Sequence, residues 1–291
     1  MRIASNAWIL CAGLVACGHA DAGDGAAAAS TDLHASTSGT TRDASGESSA
    51  TTMVGEASTA GADTSTGAPE PEPLRVLFIG NSYTFVNDLP GTVERVADGA
   101  DHPMTTAMVA VGGATLADHV ANPQVSASLA QGWDVVVIQG QSVEPIAQHD
   151  VFVQAAVELS AMVAIDNPEA RLLLYETWAR RAGDPLYERF GLTPQQMQAG
   201  LTAGYADAAR ASMGAVAPVG QTWSLALDQA PQIDLFAADG SHPSRAGTYL
   251  ASCVFFRALT GADAAAIETA VDGVDDADAD ALEAIADQLG R

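Results

Sequence analysis

Two short stretches carry the side chains with the most chemistry to offer. Gly80-Asn81-Ser82-Tyr83 follows an apolar run, and Asp239-Gly240-Ser241-His242 lies near the far end of the chain. A serine set where a strand gives way to a helix faces unpaired N–H groups and the positive end of the helix dipole, both of which favour negative charge. A hydroxyl attacking a carbonyl needs that setting, because the carbonyl oxygen becomes an oxyanion. A serine there also serves as a plain helix cap, and the loop alone does not choose between the two. Asp239 precedes His242 by three residues, so its carboxylate can fold back onto one ring nitrogen and leave the other as an oriented base. Such a pair also arises by chance in a chain this rich in acids.

The other histidines are poorer candidates for a base. His19 and His34 fall in the N-terminal region, His102 follows an acidic turn, and His119 lies in a helical stretch where a packing or capping role is expected. His149 has an acid beside it but no strand to deliver it to a site. Two further loops have polar groups at strand ends. Val111-Gly112-Gly113-Ala114 either turns the chain or brings a backbone N–H close to a ligand. Gln139-Gly140-Gln141-Ser142 offers a side-chain amide that can donate to an oxyanion or satisfy its own loop.

The elements that must position these loops are legible in the apolar pattern. Short runs rich in Val, Leu and Ile at 74–80, 104–113, 133–140, 170–178 and 214–220 read as strands, the third most strongly. Helices are expected over 88–100, most of 115–132, 152–165, 193–212, 244–261 and 278–290. Thr193 followed by Pro194 is a good helix start. This alternation predicts an α/β fold: a three-layer α/β/α, flavodoxin-like arrangement with a parallel five-stranded sheet and helices on both faces. Ligands of such sheets bind beyond the carboxyl ends of the strands, so the chemistry is expected in the loops that follow Ile79, Val111, Gln139 and Tyr175.

Composition narrows the partners. The 291-residue chain has 36 acidic and 12 basic residues, a formal net charge of −24, and its basic residues are all arginine. That field repels phosphate backbones, so no nucleic-acid partner is expected. Cys11, Cys17 and Cys253 are too dispersed for a disulfide framework, and no Cys/His cluster or HExxH has the spacing of a metal site, so neither metal nor cofactor is expected. Cys253, among small apolar neighbours, reads as an inert core thiol.

Residues 1–16 have one cation, Arg2, and an apolar run too short to span a bilayer, which suits a signal peptide. Leu14-Val15-Ala16-Cys17 resembles the bacterial lipobox, which implies export and acylation of Cys17; cleavage after Ala20-Asp21-Ala22 would instead release a soluble protein. Residues 17–72 are dominated by Ala, Ser, Thr, Gly and Asp and cannot bury enough surface to offset the entropy of ordering. They predict a disordered tether, with Ala68-Pro69-Glu70-Pro71-Glu72-Pro73 leading into a folded domain over 73–291. Membrane contact is expected only through the lipid anchor.

Taken in order, a serine after the first strand, glycine after the second, an amide after the third and Asp-x-x-His near the end resemble the SGNH hydrolases, the GDSL-like lipases and esterases. The stretches 79–90, 111–120, 137–142 and 175–185 resemble a less characterised branch whose first block reads Gly-Asn-Ser in place of Gly-Asp-Ser. The resemblance implies Ser82 as nucleophile, His242 as general base and acid, and Asp239 orienting His242. It implies an oxyanion hole from the N–H of Ser82, the N–H of Gly113 (or Gly112) and an amide side chain. That amide is usually an Asn in a Gly-x-Asn motif, for which Gln141 is the nearest substitute here. Asn81, Trp178 and Arg180 are then candidates to line the cleft, with core packing as the equal alternative for Trp178. The implied activity is hydrolysis of an ester on a small molecule or glycan, with a lean towards short acyl groups such as acetyl. The alternative is a non-catalytic carbohydrate-binding descendant of the same fold.

Overall fold

The computed structural model describes residues 72–268 and 271–289. The expected signal peptide, Cys17 and all but the last residue of the expected tether lie outside these residues. Five strands, β1 (Leu74–Gly80), β2 (Met104–Ala110), β3 (Val135–Ile138), β4 (Arg171–Tyr175) and β5 (Ala215–Ala217), form one sheet in the order β2-β1-β3-β4-β5. Every neighbouring pair is parallel. Parallel neighbours require crossover connections, which the helices supply. Between β1 and β2 lie α1 (Ser82–Phe85) and α2 (Leu89–Gly99); between β2 and β3, α3 (Leu116–Val120) and α4 (Pro123–Leu129). Next come α5 (Glu144–Ala147) and α6 (His149–Asp166), then α7 (Leu186–Phe190) and α8 (Pro194–Ser212) after β4. Finally α9 (Val219–Gln229), α10 (Arg245–Thr260) and α11 (Asp276–Ala286) follow β5.

Strand alternation divides the interior into two cores. In β1, Val76 and Phe78 join one apolar cluster with α2, α9, α10 and α11, while Leu77 and Ile79 join the other with α3, α4, α6 and α8. Because both faces are covered, β1 and β3 are apolar at consecutive positions, as a central parallel strand must be. Each large side chain so buried contributes about 1.5–3 kcal/mol. This is the three-layer α/β/α arrangement expected from the sequence.

Several details differ from expectation, and three bear on the site or its supports. The third and fourth strands stop earlier, at Ile138 and Tyr175, so that Gln139 to Ser142 and Glu176 to Arg181 are free to form loops. The helical stretch 115–132 is broken in two, because Asn122 caps a new helix that begins on Pro123. Residues 219–229 form a helix that the periodicity did not reveal. Gly220 sits in its first turn, where a Cβ would run into the Thr177 carbonyl and the Gln198 amide, so a poor helix former is required by close packing.

The strand order changes direction between β1 and β3: the chain moves from β1 outward to β2, then returns to the other side of β1. A crevice opens beyond the carboxyl ends of strands at such a switch point. The residues leaving β1 and β3 there are Gly80 to Ser82 and Gln139 to Ser142.

Candidate active site

Ser82 is the first residue of α1, and capping of that helix falls to its neighbour. Asn81 Oδ1 accepts a hydrogen bond from the Tyr83 N–H at 3.1 Å, which leaves the Ser82 hydroxyl for another partner. That partner is His242, whose Nε2 lies 2.8 Å from Ser82 Oγ. The other ring nitrogen, Nδ1, lies 2.5 Å from Asp239 Oδ2. Asp239 Oδ1 meanwhile accepts from the N–H groups of Ser241 at 2.9 Å and His242 at 3.0 Å. Partial burial pushes the Asp239 carboxyl up, but the hydrogen bonds from the His242 ring and these two amides outweigh it and hold the group at about 2. An ionised carboxylate only accepts, so the proton of a neutral His242 ring sits on Nδ1 and Nε2 is left to accept from the serine. The structure therefore brings together Ser82, His242 and Asp239 in a continuous hydrogen-bonded line.

The loop carrying Asp239 and His242 lies between α9 and α10. The Ala237 N–H donates to the His242 carbonyl at 2.8 Å, the Ser244 N–H to Leu235 at 2.9 Å, and the Arg181 N–H to Gly240 at 2.8 Å. Gly240 takes φ +68°, the left-handed bend that lets Asp239 face His242.

Asn81 does not line a cleft. It is 3% exposed, and its Nδ2 donates to the carbonyls of Ala114 at 3.0 Å and Gly140 at 3.2 Å, while its own N–H donates to Gln139 Oε1 at 2.9 Å. One side chain so ties the loops after β1, β2 and β3. An aspartate here would set a carboxylate against two carbonyl oxygens, which gives a local reason for Asn in this position. Gly80 is required for a related reason: a Cβ would sit 2.7 Å from Gln139 Oε1 and also crowd Thr84.

Trp178 is likewise buried, at 0% exposure, stacked between Tyr83 at 4.6 Å and Trp223 at 3.9 Å. Its candidacy for the cleft gives way to packing, because β4 ends early and the chain turns back under the His242 loop. Arg180 is closer to expectation. It is partly buried and joins two loops, donating to Ser142 Oγ at 3.0 Å and pairing with Asp184 at 3.4 Å.

Gln141 is held by its own loop: its Oε1 accepts from the Val143 N–H at 2.9 Å, and Nε2 donates to Ser142 Oγ at 3.2 Å. An amide nitrogen has two protons, so one remains for another acceptor. Gly112 and Gly113 are exposed at the end of β2, Gly113 with φ +72°. Neither their amides nor that of Ser82 donates to a protein acceptor among the hydrogen bonds of the described residues.

Several contributors had no sequence signal. Glu144 is buried and accepts from the N–H of Gln141 at 2.8 Å and of Leu116 at 3.2 Å, fastening the second loop to the third. Burial pushes its carboxyl up. Glu176, also buried, accepts from Gln198, Thr202 and Gln221 and braces the loop after β4. His119 is buried with Nε2 2.8 Å from the Gly80 carbonyl, the packing role expected of it, and burial lowers its pKa. His149 pairs with Asp150 and Asp207 on the surface. An apolar cavity of about 190 Å³ beside β5, lined by Leu173, Val216 and Val254 among others, includes no residue of the Ser82–His242–Asp239 line. Among the described residues no cluster of His, Cys, Asp or Glu has the arrangement of a metal site.

No family model and no curated protein matches the chain. Solved structures do. A protein from Slackia heliotrinireducens assigned to the SGNH hydrolases is 30% identical, with a TM-score of 0.56, and the match covers 64% of this chain and 98% of that one. A DUF4886 family protein from Bacteroides uniformis is 21% identical, with a TM-score of 0.62, covering 74% of this chain and 93% of that one. A lipase/acylhydrolase from Enterococcus faecalis, at 18% identity and a TM-score of 0.50, covers 65% and 96%; these last two speak to the fold alone. The chain belongs to the SGNH hydrolases.

Proposed function

We propose that this protein is an exported serine ester hydrolase that works through an acyl-enzyme. The observation that carries the proposal is the unbroken line from Asp239 through His242 to Ser82 Oγ. In this reading Ser82 Oγ attacks the acyl carbonyl while its proton passes to His242 Nε2. Charge on the carbonyl oxygen is met by the N–H of Ser82, the N–H of Gly113 or Gly112, and the remaining amide proton of Gln141. His242 then gives its proton to the departing alcohol oxygen, leaving the acyl group on Ser82. Water, deprotonated by the same nitrogen, releases the acid and restores the serine.

The His242 side chain is 33% exposed and that of Asp239 51%, which suits a site open to a bulky alcohol such as a glycan. The acyl group is short, acetyl first. Export, with a lipid on Cys17, is part of the proposal and rests on residues 1–71. No helix among the described residues is long and apolar enough to cross a membrane.

The test is turnover of p-nitrophenyl acetate, butyrate and octanoate by the full chain near neutral pH. Acetate is expected to be hydrolysed with the highest kcat/KM, and octanoate at least tenfold less well. Equal or better turnover of octanoate removes the short-acyl reading, and no turnover of any ester by the folded protein removes the esterase reading.

A further inference from the structure

The loop that presents His242 is irregular, and Asp239 is half exposed, so secondary structure alone does not set the angle of the imidazole. Ser241, the residue just before His242, is 5% exposed and is held from three directions. Its N–H donates to Asp239 Oδ1 at 2.9 Å, and its carbonyl accepts from the indole Nε1 of Trp178 at 3.0 Å. Its Oγ lies 2.6 Å from the hydroxyl of Tyr83. Tyr83 follows Ser82 on α1, so the residue next to one end of the Ser82–His242 contact grips the residue next to the other.

The ring of Tyr83 does a second thing. It lies flat on Trp178, with an interplanar angle of 4° and centroids 4.6 Å apart, and Trp178 lies flat on Trp223 at 3.9 Å and 6°. The same Tyr83 ring meets the imidazole of His242 edge to face, at 5.5 Å and 77°. A three-ring stack anchored in the core thus ends against the imidazole, in a geometry aromatic pairs favour. Burial raises the Tyr83 phenol and keeps it protonated, with a hydroxyl proton to share with Ser241.

We propose that Tyr83 is a positioning residue: through its hydroxyl on Ser241 and its ring against His242 it sets the imidazole on Ser82 Oγ. This rests on the esterase reading above. Were the stack core packing alone, losing the hydroxyl would lower stability and leave the chemistry intact. As a positioning group its loss costs catalysis, because small displacements of reacting groups are expensive; about 1 Å can cost about 10²-fold.

The test compares the full chain with Tyr83→Phe, Ser241→Ala and the double variant. Phenylalanine keeps the ring stack, so the fold is preserved. Tyr83→Phe and Ser241→Ala are each expected to lower kcat for p-nitrophenyl acetate about ten- to a hundredfold with KM within twofold, and the double variant no further than the worse single, since the two act through one bond. Imidazole ¹⁵N shifts of His242 supply a readout that needs no turnover: Asp239 is expected to hold both proteins in the Nδ1–H tautomer, and Tyr83→Phe is expected to shift Nε2 as its hydrogen bond from Ser82 weakens. Unchanged kcat together with unchanged His242 shifts in Tyr83→Phe overturns the proposal, as does a fully additive double variant. A parent without ester turnover whose His242 shifts still respond to Tyr83→Phe sinks the esterase reading and keeps the positioning role.

Discussion

Ser82→Ala is expected to lower kcat for p-nitrophenyl acetate about 10⁶-fold, the scale on which nucleophile and base act as one unit. The hydroxyl is the atom that becomes bonded to the acyl group, and no neighbour has the geometry to replace it. Asn81 is committed to three loops, and the Ser142 hydroxyl is taken up by Arg180 and Gln141. Some rate above that of water should persist, about 10³–10⁴-fold in comparable enzymes, because the oxyanion donors and the binding surface remain. Stability should hardly change. Asn81 caps α1, so the serine hydroxyl is not needed for the helix, and a substitution away from core and caps stays within about 0.5 kcal/mol. A melting curve alongside the kinetics separates loss of chemistry from loss of fold.

Asp239→Asn is expected to lower kcat about 10⁴-fold. The amide oxygen of an asparagine can still accept from the N–H groups of Ser241 and His242, as Asp239 Oδ1 does. Its NH₂ then faces His242 Nδ1 and turns that nitrogen into an acceptor. The ring proton moves to Nε2, which can no longer take the proton of Ser82. The loop survives with the wrong tautomer. The same carboxylate fixes an acid limit: its value of about 2 lies below the ordinary 3.8. Ionisation therefore favours the folded loop fully above about pH 4, and that contribution is lost as pH falls through about 2. The kcat of Asp239→Asn against the parent, with His242 ¹⁵N shifts to identify the tautomer, checks the account.

The Ser82–His242–Asp239 line was legible through the family resemblance, whose blocks are short local patterns; neither loop decides it alone. Ser82 stands at the end of the strand 74–80, and Asp239 and His242 occupy one turn. The sheet was readable because strands buried on both faces leave unbroken apolar runs. What was not readable depends on contacts between distant segments. Tyr83 and Ser241 are 158 residues apart, and nothing in either local stretch announces their bond. Trp178 reads equally as a cleft or a core residue from its place after β4, and the choice falls to the core only once Tyr83 and Trp223 close on either side of it. Asn81 reads as a polar group offered to a ligand, yet the carbonyls that consume it come from the two neighbouring loops. Helix α9 was hidden by Gly220, whose presence answers to the backbone of Thr177 rather than to helix propensity.

The most direct measurement is reaction of the full chain with a fluorophosphonate, followed by peptide mass mapping. Such a reagent phosphonylates a serine activated by an adjacent base, expelling fluoride, and needs no knowledge of the natural ester. One adduct per chain is expected, on the peptide containing Ser82, and none in His242→Ala. No adduct on the folded protein, or an adduct on a serine other than Ser82, would contradict the proposed serine mechanism.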